Sequence, residues 1–187
     1  MTSFSSKIDK SSHRKTALYG EFAETAFEFY AYLSGWGWED AWDIFASIIE
    51  YNRVLKRWGN LDKWRDRSQK MFSLKNARNI QWFTEVVLKP HHSFIMDNLI
   101  KPPASGSSDL RWWTPKRGLP DYFCWTILET KEEKETRYFF VEVKSQKSPL
   151  SKEQKEVLNL LKRIYPVYIF RVTIPENFHF QLKMDPF

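Results

Sequence analysis

The alternation of apolar and charged segments predicts two paired β-strands in the second half of the chain. Residues 122–128 and 138–144 are both rich in aromatic and β-branched side chains, as strands are. The charged interval 129–137 between them predicts a solvated turn, so we expect the strands to form an antiparallel hairpin. Pro120 marks the start of the first strand. In such a hairpin the start of the first strand lies beside the end of the second strand.

Helices are predicted before the hairpin. Apolar positions recur at three- and four-residue steps over residues 16–33, which indicates an amphipathic helix that Gly35 ends. Residues 36–55 and 80–88 also follow helical spacing. Residues 1–15 are rich in serine and lysine and have little to bury, so we expect them to form a flexible basic arm.

The segment after the hairpin predicts a helix and a further strand. Residues 151–164 have apolar positions at helical spacing, and residues 167–174 form a strongly β-forming run after Pro166. A right-handed crossover through this helix makes the strands on either side of it parallel. An antiparallel hairpin joined to a parallel pair predicts the α/β class, with a mixed central sheet flanked by helices.

The composition favours a basic protein of one domain. The chain has 187 residues, with 29 Lys and Arg against 23 Asp and Glu, and a basic surface favours polyanions. The single Cys124 rules out an internal disulfide, which fits a reducing compartment. No apolar run has the length of a membrane span, and residues 1–15 lack the apolar stretch of a signal peptide. We therefore expect a soluble intracellular protein with no membrane partner, cytoplasmic if its source is prokaryotic or viral and nuclear if it is eukaryotic.

One segment concentrates the positive charge. Over residues 52–78 basic residues far outnumber acidic ones, and Trp58, Trp64 and Phe72 are interleaved with them. Cations release counterions from phosphates and aromatic rings stack on exposed bases, so this segment is expected to contact nucleic acid. A charge-rich helix pair with a solvated face is the alternative. The candidate contacts are Arg53, Lys56, Arg57, Lys63, Arg65, Arg67, Lys70 and, closer to the hairpin, Arg111, Lys116 and Arg117.

Candidate chemistry lies where the two predicted strands meet. The period of two places Glu142 and Lys144 on one face of the second strand, and the hairpin brings Asp121 opposite them. Charged residues in an apolar strand are costly to desolvate unless they are paired or bind an ion. Two carboxylates and an amine around one point predict a site for a hard divalent cation and a water. The alternative is a structural ion pair between Glu142 and Lys144.

The sequence around these residues resembles a known family. Three motifs carry the resemblance: Gly118-Leu119-Pro120-Asp121, Phe140-Val141-Glu142-Val143-Lys144, and Leu150-Ser151 followed by Gln154. Together they resemble the VRR-NUC branch of the PD-(D/E)xK nuclease superfamily, over residues 118–172. The resemblance implies a restriction-endonuclease-like core at residues 118–174 within a nuclease domain of residues 16–187. An opening helix at 16–35 and a helical insertion at 36–110 would precede that core.

The resemblance also implies roles for the site residues. Asp121 and Glu142 would hold magnesium or manganese, and Lys144 would position or activate the attacking water. The backbone carbonyl of Val143 is a further candidate metal ligand. Gln154 matches the family glutamine, although Ser151 three residues earlier also predicts a capping box. Both interpretations of Gln154 stay open.

An opening helix often adds one more carboxylate to the metal site in this superfamily. Glu24 is preferred, because it lies nearer the edge of the apolar stripe. Glu21 competes for the same role, and Glu85 is a weaker candidate. The alternative is that the helix glutamates, Glu28 included, only face solvent.

The expected activity is metal-dependent endonucleolytic cleavage of DNA, at flaps, junctions or other branched structures. Site-specific cleavage like that of restriction enzymes is an alternative, and so is a non-catalytic DNA-binding module that retains the fold. RNA is a third possible substrate. The sequence leaves open whether the protein is a monomer or a homodimer.

Overall fold

A four-stranded mixed sheet is the centre of the computed structural model, in which residues 12–58, 83–104, 113–129, 133–145 and 148–173 are described. The helical and strand elements follow in chain order: α1 (Ser12–Leu33), β1 (Gly37–Asp40), α2 (Ala41–Trp58), a π-helical turn (Phe83–Leu88), a 3-10 turn (Lys89–His91), α3 (His92–Asn98), β2 (Ile100–Lys101), β3 (Thr114–Pro115), β4 (Tyr122–Glu129), β5 (Lys134–Ser145), α4 (Lys152–Leu161) and β6 (Val167–Val172). No helix in these ranges is long and apolar enough to cross a membrane.

The sheet has the order β1-β4-β5-β6. β1 pairs with β4 and β4 with β5, both antiparallel, whereas β5 and β6 are parallel. The crossover from β5 to β6 runs through α4, as strands of the same direction require. This arrangement confirms the predicted α/β fold with a mixed sheet flanked by helices. β2 and β3 form a separate two-stranded sheet.

The register of the β4–β5 hairpin places the predicted site residues side by side. Tyr122 lies opposite Val141, so Asp121 is level with Glu142. The predicted turn was too long, because pairing continues to Glu129 opposite Lys134. These two residues form an ion pair at 2.5 Å, and opposite charges across strands support a ladder even where both residues are exposed.

The prediction of one continuous helix over residues 36–55 was wrong at its start. Residues 37–40 form β1 instead, and α2 begins at Ala41. Gly37 lies under the ring of Trp125, where a Cβ atom would come within 2.0 Å of the indole. This close approach lets the backbone join β4. Asp40 then ends the strand and accepts a hydrogen bond from the Trp42 N–H at 2.7 Å, which caps α2.

Helices cover both faces of the sheet. On one face α1 packs Phe27 against Tyr122 and Val141, in a cluster that includes the buried Cys124. On the other face Phe45 of α2 and Leu158 of α4 join Phe123 and Phe140. Side chains alternate along β5, so Glu142 points to the side that α2 and α4 cover.

The ends of the helices follow the sequence in part. α1 ends where predicted, with Gly35 at a φ of 70° and the Trp36 N–H bonded to the Ala31 carbonyl at 2.9 Å. α1 begins at Ser12, inside the predicted arm, and residues 1–11 lie outside the described part. The described part of the predicted helix at 80–88 is a π-helical turn. The division of the chain into arm, insertion and core stays a prediction.

Candidate active site

Asp121 is held in place by its own backbone and side chain. It directly precedes β4, and its carbonyl accepts the N–H of Ala41 at 3.1 Å. Its Oδ2 accepts the N–H of Val143 at 2.6 Å. Burial raises the pKa of this carboxyl, whereas the Val143 N–H and the charge of Lys144 act in the opposite direction. The Asp121 carboxylate therefore takes the place of a backbone acceptor for the Val143 N–H near the end of β5.

Glu142 is the most buried ionisable group of the site, with no exposed surface. Its Oε1 lies 2.6 Å from the Nζ of Lys144 and accepts the Nε2–H of Gln154 at 2.5 Å. Its Oε2 is buried and has no hydrogen-bond partner among the described residues. Burial, followed by the negative charge of Asp121, raises the pKa of Glu142 to about 7 against the opposing effect of Lys144. A buried acceptor without a partner costs about 1–3 kcal/mol, and a cation at Oε2 would remove that cost.

Gln154 joins Glu142 to the start of α4. Its Oε1 accepts the N–H of Ser151 at 3.0 Å, and its own N–H donates to the Ser151 hydroxyl at 3.1 Å. This is the predicted capping box. The Nε2 of the same side chain donates to Glu142, so Gln154 caps the helix and contacts the site at once.

Gly118 explains the first residue of the Gly-Leu-Pro-Asp motif. Its φ is 88°, a conformation that favours glycine. A Cβ atom at this position would lie 2.7 Å from the Glu153 carbonyl carbon and 2.7 Å from the Gln154 nitrogen. The loop before Asp121 therefore packs backbone to backbone on the first turn of α4.

Pro120 leaves one backbone carbonyl of the site without its usual partner. The Phe140 N–H bonds to the Pro166 carbonyl at 2.8 Å, so the backbone groups of Val141 and Val143 face β4. In the register that pairs Tyr122 with Val141, the residue opposite Val143 is Pro120. Proline has no N–H to donate. If the register continues past Tyr122, Pro120 therefore offers no ladder donor to the Val143 carbonyl.

Glu24 is the α1 glutamate that acts electrostatically on the site. Partial burial and then the charge of Asp121 raise the pKa of Glu24, and Glu24 in turn contributes to the raised pKa of Glu142. Glu21 is exposed and is the weakest of the charges that act on Glu24. Glu28 accepts the Tyr122 hydroxyl at 2.8 Å, so it does more than face solvent. Glu24, unlike Glu21, is among the charges that raise the pKa of Glu142, and the choice of Glu24 as an added metal ligand stays a prediction.

Glu85, the weakest candidate for the added carboxylate, lies on the π-helical turn. The neighbouring hydroxyl of Thr84 is buried and lies 2.8 Å from that of Ser47 on α2. This turn therefore packs on α2, and Glu24 rather than Glu85 is among the charges that raise the pKa of Glu142.

Asp40 is an acidic residue of the site that sequence reasoning missed. Its charge raises the pKa of both Glu24 and Asp121. It was missed because a continuous helix was predicted over residues 36–55. An Asp at this position could nevertheless have indicated the N-cap of a helix that begins at residue 41. The site is thus more acidic than its motifs indicate.

The donors fit a partly hydrated magnesium ion. In the part of the chain that the structure describes, no three Asp, Glu, His or Cys side chains form a group that could hold a metal ion. Magnesium does not need such a group, because it keeps several waters and takes one or two carboxylates from the protein. The partnerless Oε2 of Glu142, the carboxylate of Asp121 and the Val143 carbonyl meet this requirement.

Few of the candidate nucleic-acid contacts lie in the described part. Arg53 is in an ion pair with Glu50 at 2.6 Å. Arg117 is exposed, and its charge contributes to lowering the pKa of Glu153 at the start of α4. Lys116 is half-buried. The other candidates fall outside the residues whose side chains are described: Lys56, Arg57, Lys63, Arg65, Arg67, Lys70 and Arg111.

Comparison with known proteins agrees with the predicted resemblance. The family model of the VRR-NUC domain matches residues 85–174. This range contains Asp121, Glu142, Lys144 and Gln154, whereas Glu24 precedes it. No curated protein and no solved structure matches the chain.

Proposed function

We propose that this protein is a metal-dependent DNA endonuclease, because residues 85–174 match the family model of the VRR-NUC domain, which implies a nuclease family and a restriction-endonuclease-like fold. The observation that carries the proposal is the carboxylate of Glu142. It is fully buried, and Asp121 and Lys144 act on its charge. One of its oxygens has no hydrogen-bond partner in the part of the chain that the structure describes.

Asp121, Glu142 and the Val143 carbonyl are the proposed ligands of magnesium or manganese. Glu24 is close enough to act on their charge and would complete the site from α1. Such an ion supplies positive charge to the phosphate oxygens and makes a water more acidic. The Val143 N–H fixes the Asp121 carboxylate, and the Pro120 ring leaves the Val143 carbonyl available.

Lys144 is the proposed partner of the attacking water. Its ammonium group lies 2.6 Å from Glu142, and its side chain is 16% exposed. A cation at this depth can hold a water against the phosphate and stabilise the charge that develops in the transition state. Gln154 fixes the other side of the Glu142 carboxylate, so its proposed role is to position that residue.

The proposed substrate is DNA with a flap, junction or other branch, as the resemblance to the VRR-NUC branch implies. The net charge of +6 supports a polyanionic substrate. Branched DNA, plain duplex, single strands and RNA of the same sequence should therefore be compared with magnesium, with manganese and with EDTA. We expect cleavage of branched DNA that EDTA abolishes.

Three substitutions test the site: Asp121→Asn, Glu142→Gln and Lys144→Ala. Each should lower the cleavage rate by about 100-fold or more, because each removes a ligand or a charge that the reaction requires. The matched controls are exposed residues of the same types: Asp97→Asn on α3, and Glu135→Gln and Lys134→Ala on β5. These should cleave at the wild-type rate.

Two results would contradict the proposal. Cleavage that survives both Asp121→Asn and Lys144→Ala would place the chemistry elsewhere. Tight binding of branched DNA without cleavage in either metal would identify a non-catalytic DNA-binding module.

A further inference from the structure

Trp42 is a large aromatic side chain that stays about half exposed among the described residues. It lies in the first turn of α2 and is 47% exposed, whereas Ile44 and Phe45 beside it are fully buried. It belongs to neither of the two apolar clusters that cover the sheet. Single exposed aromatic residues are common on protein surfaces. A binding role for Trp42 therefore has to be argued from its position.

The backbone at Trp42 is fixed against the candidate site. Its N–H donates to Asp40 at 2.7 Å, and the N–H of the preceding Ala41 donates to the Asp121 carbonyl at 3.1 Å. Adding standard backbone lengths, the Trp42 Cα lies within about 8.5 Å of that carbonyl oxygen. α2 also packs on the sheet face to which Glu142 points. The backbone of Trp42 therefore lies close to Asp121, at the start of a helix that covers the side of the sheet to which Glu142 points.

The charges around Trp42 select what it can bind. Asp40 and Asp43 flank it in the chain, and the charge of Asp40 raises the pKa of Asp43, Asp121 and Glu24. A phosphate group is repelled by so many carboxylates unless a metal ion lies between them. A nucleobase is neutral and stacks on an indole through its flat face. The surroundings of Trp42 thus suit a base rather than a phosphate.

We propose that Trp42 is a stacking platform for one unpaired base next to the phosphate that is cut. This inference rests on the proposed nuclease function and adds a substrate class to it. A base inside a duplex is covered on both faces by its neighbours, so it must be unpaired or turned out of the helix to stack on a side chain. The preferred substrate then has single-stranded character at the cleavage position.

Fluorescence of 2-aminopurine tests the platform directly. This base analogue is placed at successive positions of the single-stranded flap of a branched DNA. The full-length protein is added with calcium in place of magnesium, so that a cation offsets the carboxylates, and a gel checks that the DNA stays uncut. We expect stacking to quench the fluorescence at one or two adjacent positions. Trp42→Ala should abolish this quenching and weaken flap binding about 10-fold or more, whereas Trp42→Phe should retain most of both.

Tyr32→Ala is the matched control, because Tyr32 is a 71% exposed aromatic near the end of α1. It should leave the quenching unchanged. A thermal melt checks that each variant folds, and Trp42→Phe decides the matter if Trp42→Ala does not fold. Quenching that is the same in wild-type and in folded Trp42→Ala protein would overturn the platform, as would its loss in Tyr32→Ala.

Cleavage gives a second and separable test. In Trp42→Ala the rate on flapped DNA should fall more than the rate on plain duplex, since only the flap offers an unpaired base. Equal losses on both substrates would overturn the inference. Because the fluorescence is read on uncut DNA, a protein that stacks the base yet cuts nothing in magnesium or manganese would contradict the nuclease proposal alone.

Discussion

Glu142 links the pH dependence of stability to the site. Its folded pKa of about 7 exceeds the ordinary value of 4.5, chiefly because the side chain is buried. The folded state therefore binds its proton more tightly than the unfolded state does. Stability from this group is complete below pH 4.5 and is lost as the pH rises to about 7. A metal ion at the carboxylate would offset that loss.

Glu142→Gln should flatten this pH profile. In EDTA the wild-type protein should lose on the order of 2 kcal/mol of unfolding free energy between pH 5 and pH 8 from this group, and the variant should lose less. Urea titrations at both pH values measure the difference. Glu135→Gln, an exposed position on the same strand, serves as control and should follow the wild type. Parallel profiles for wild type and Glu142→Gln would show that Glu142 is not the group responsible.

The contact between the Gly118 loop and α4 sets the position of two site residues together. Gly118→Ala would place a Cβ atom 2.7 Å from the backbone of Glu153 and Gln154, at a φ of 88°. We expect a loss of about 1–3 kcal/mol in unfolding free energy and a clear fall in cleavage rate, because Gln154 or Asp121 must shift. Denaturant melts and cleavage assays measure the two effects.

Gly20→Ala provides the control for this substitution. Gly20 lies within α1, and nothing is within 4 Å of the place where its Cβ would be. Alanine there should stabilise the helix by about 0.5–1 kcal/mol and leave cleavage unchanged. A Gly118→Ala protein with wild-type stability would contradict the close packing of the loop on α4.

Two substitutions at the start of α4 distinguish helix capping from support of Glu142. Ser151→Ala removes the hydroxyl that accepts the Gln154 N–H, and should cost about 0.5–2 kcal/mol of stability. Gln154→Ala also removes the hydrogen bond to Glu142. Both variants should therefore melt earlier, but only Gln154→Ala should also cut DNA more slowly at temperatures where both are folded. Equal activity in the two variants would limit Gln154 to capping.

For the whole molecule, the basic segment should determine how binding depends on salt. Replacing Lys63, Arg65 and Arg67 together by alanine should reduce the slope of log K against log salt by about 2 to 3, if each contacts a phosphate. Binding of branched DNA between 50 and 200 mM salt (roughly the range in which such slopes are resolved) measures it. Lys134→Ala with Arg137→Ala is the control, because both are already paired with glutamates. An unchanged slope in the triple variant would favour the solvated-helix alternative.

The sequence predicted the parts of the molecule that depend on neighbours in the chain. The period of two in β5 and the antiparallel hairpin were enough to place Asp121 level with Glu142. β1 was missed because Trp38 also fits the helical spacing of the residues that follow it. Its pairing depends on the contact of Gly37 with Trp125, which is remote in sequence. Asp40 was missed together with β1. It lies inside the helix predicted over residues 36–55, so it was not considered as the N-cap of a helix that begins at Ala41.

The β4–β5 hairpin has one more consequence, for the order of assembly. The bond from Val143 to Asp121 spans only 22 positions in the chain, and loops of this size close fast and at low entropic cost. Glu24, Asp40 and Trp42 reach the same place only when a remote part of the chain docks. The family match begins at residue 85, so it contains the hairpin but not Glu24, Asp40 or Trp42. The hydrogen bond from Val143 to Asp121 therefore closes a shorter loop than the contacts that bring Glu24, Asp40 and Trp42 to the site.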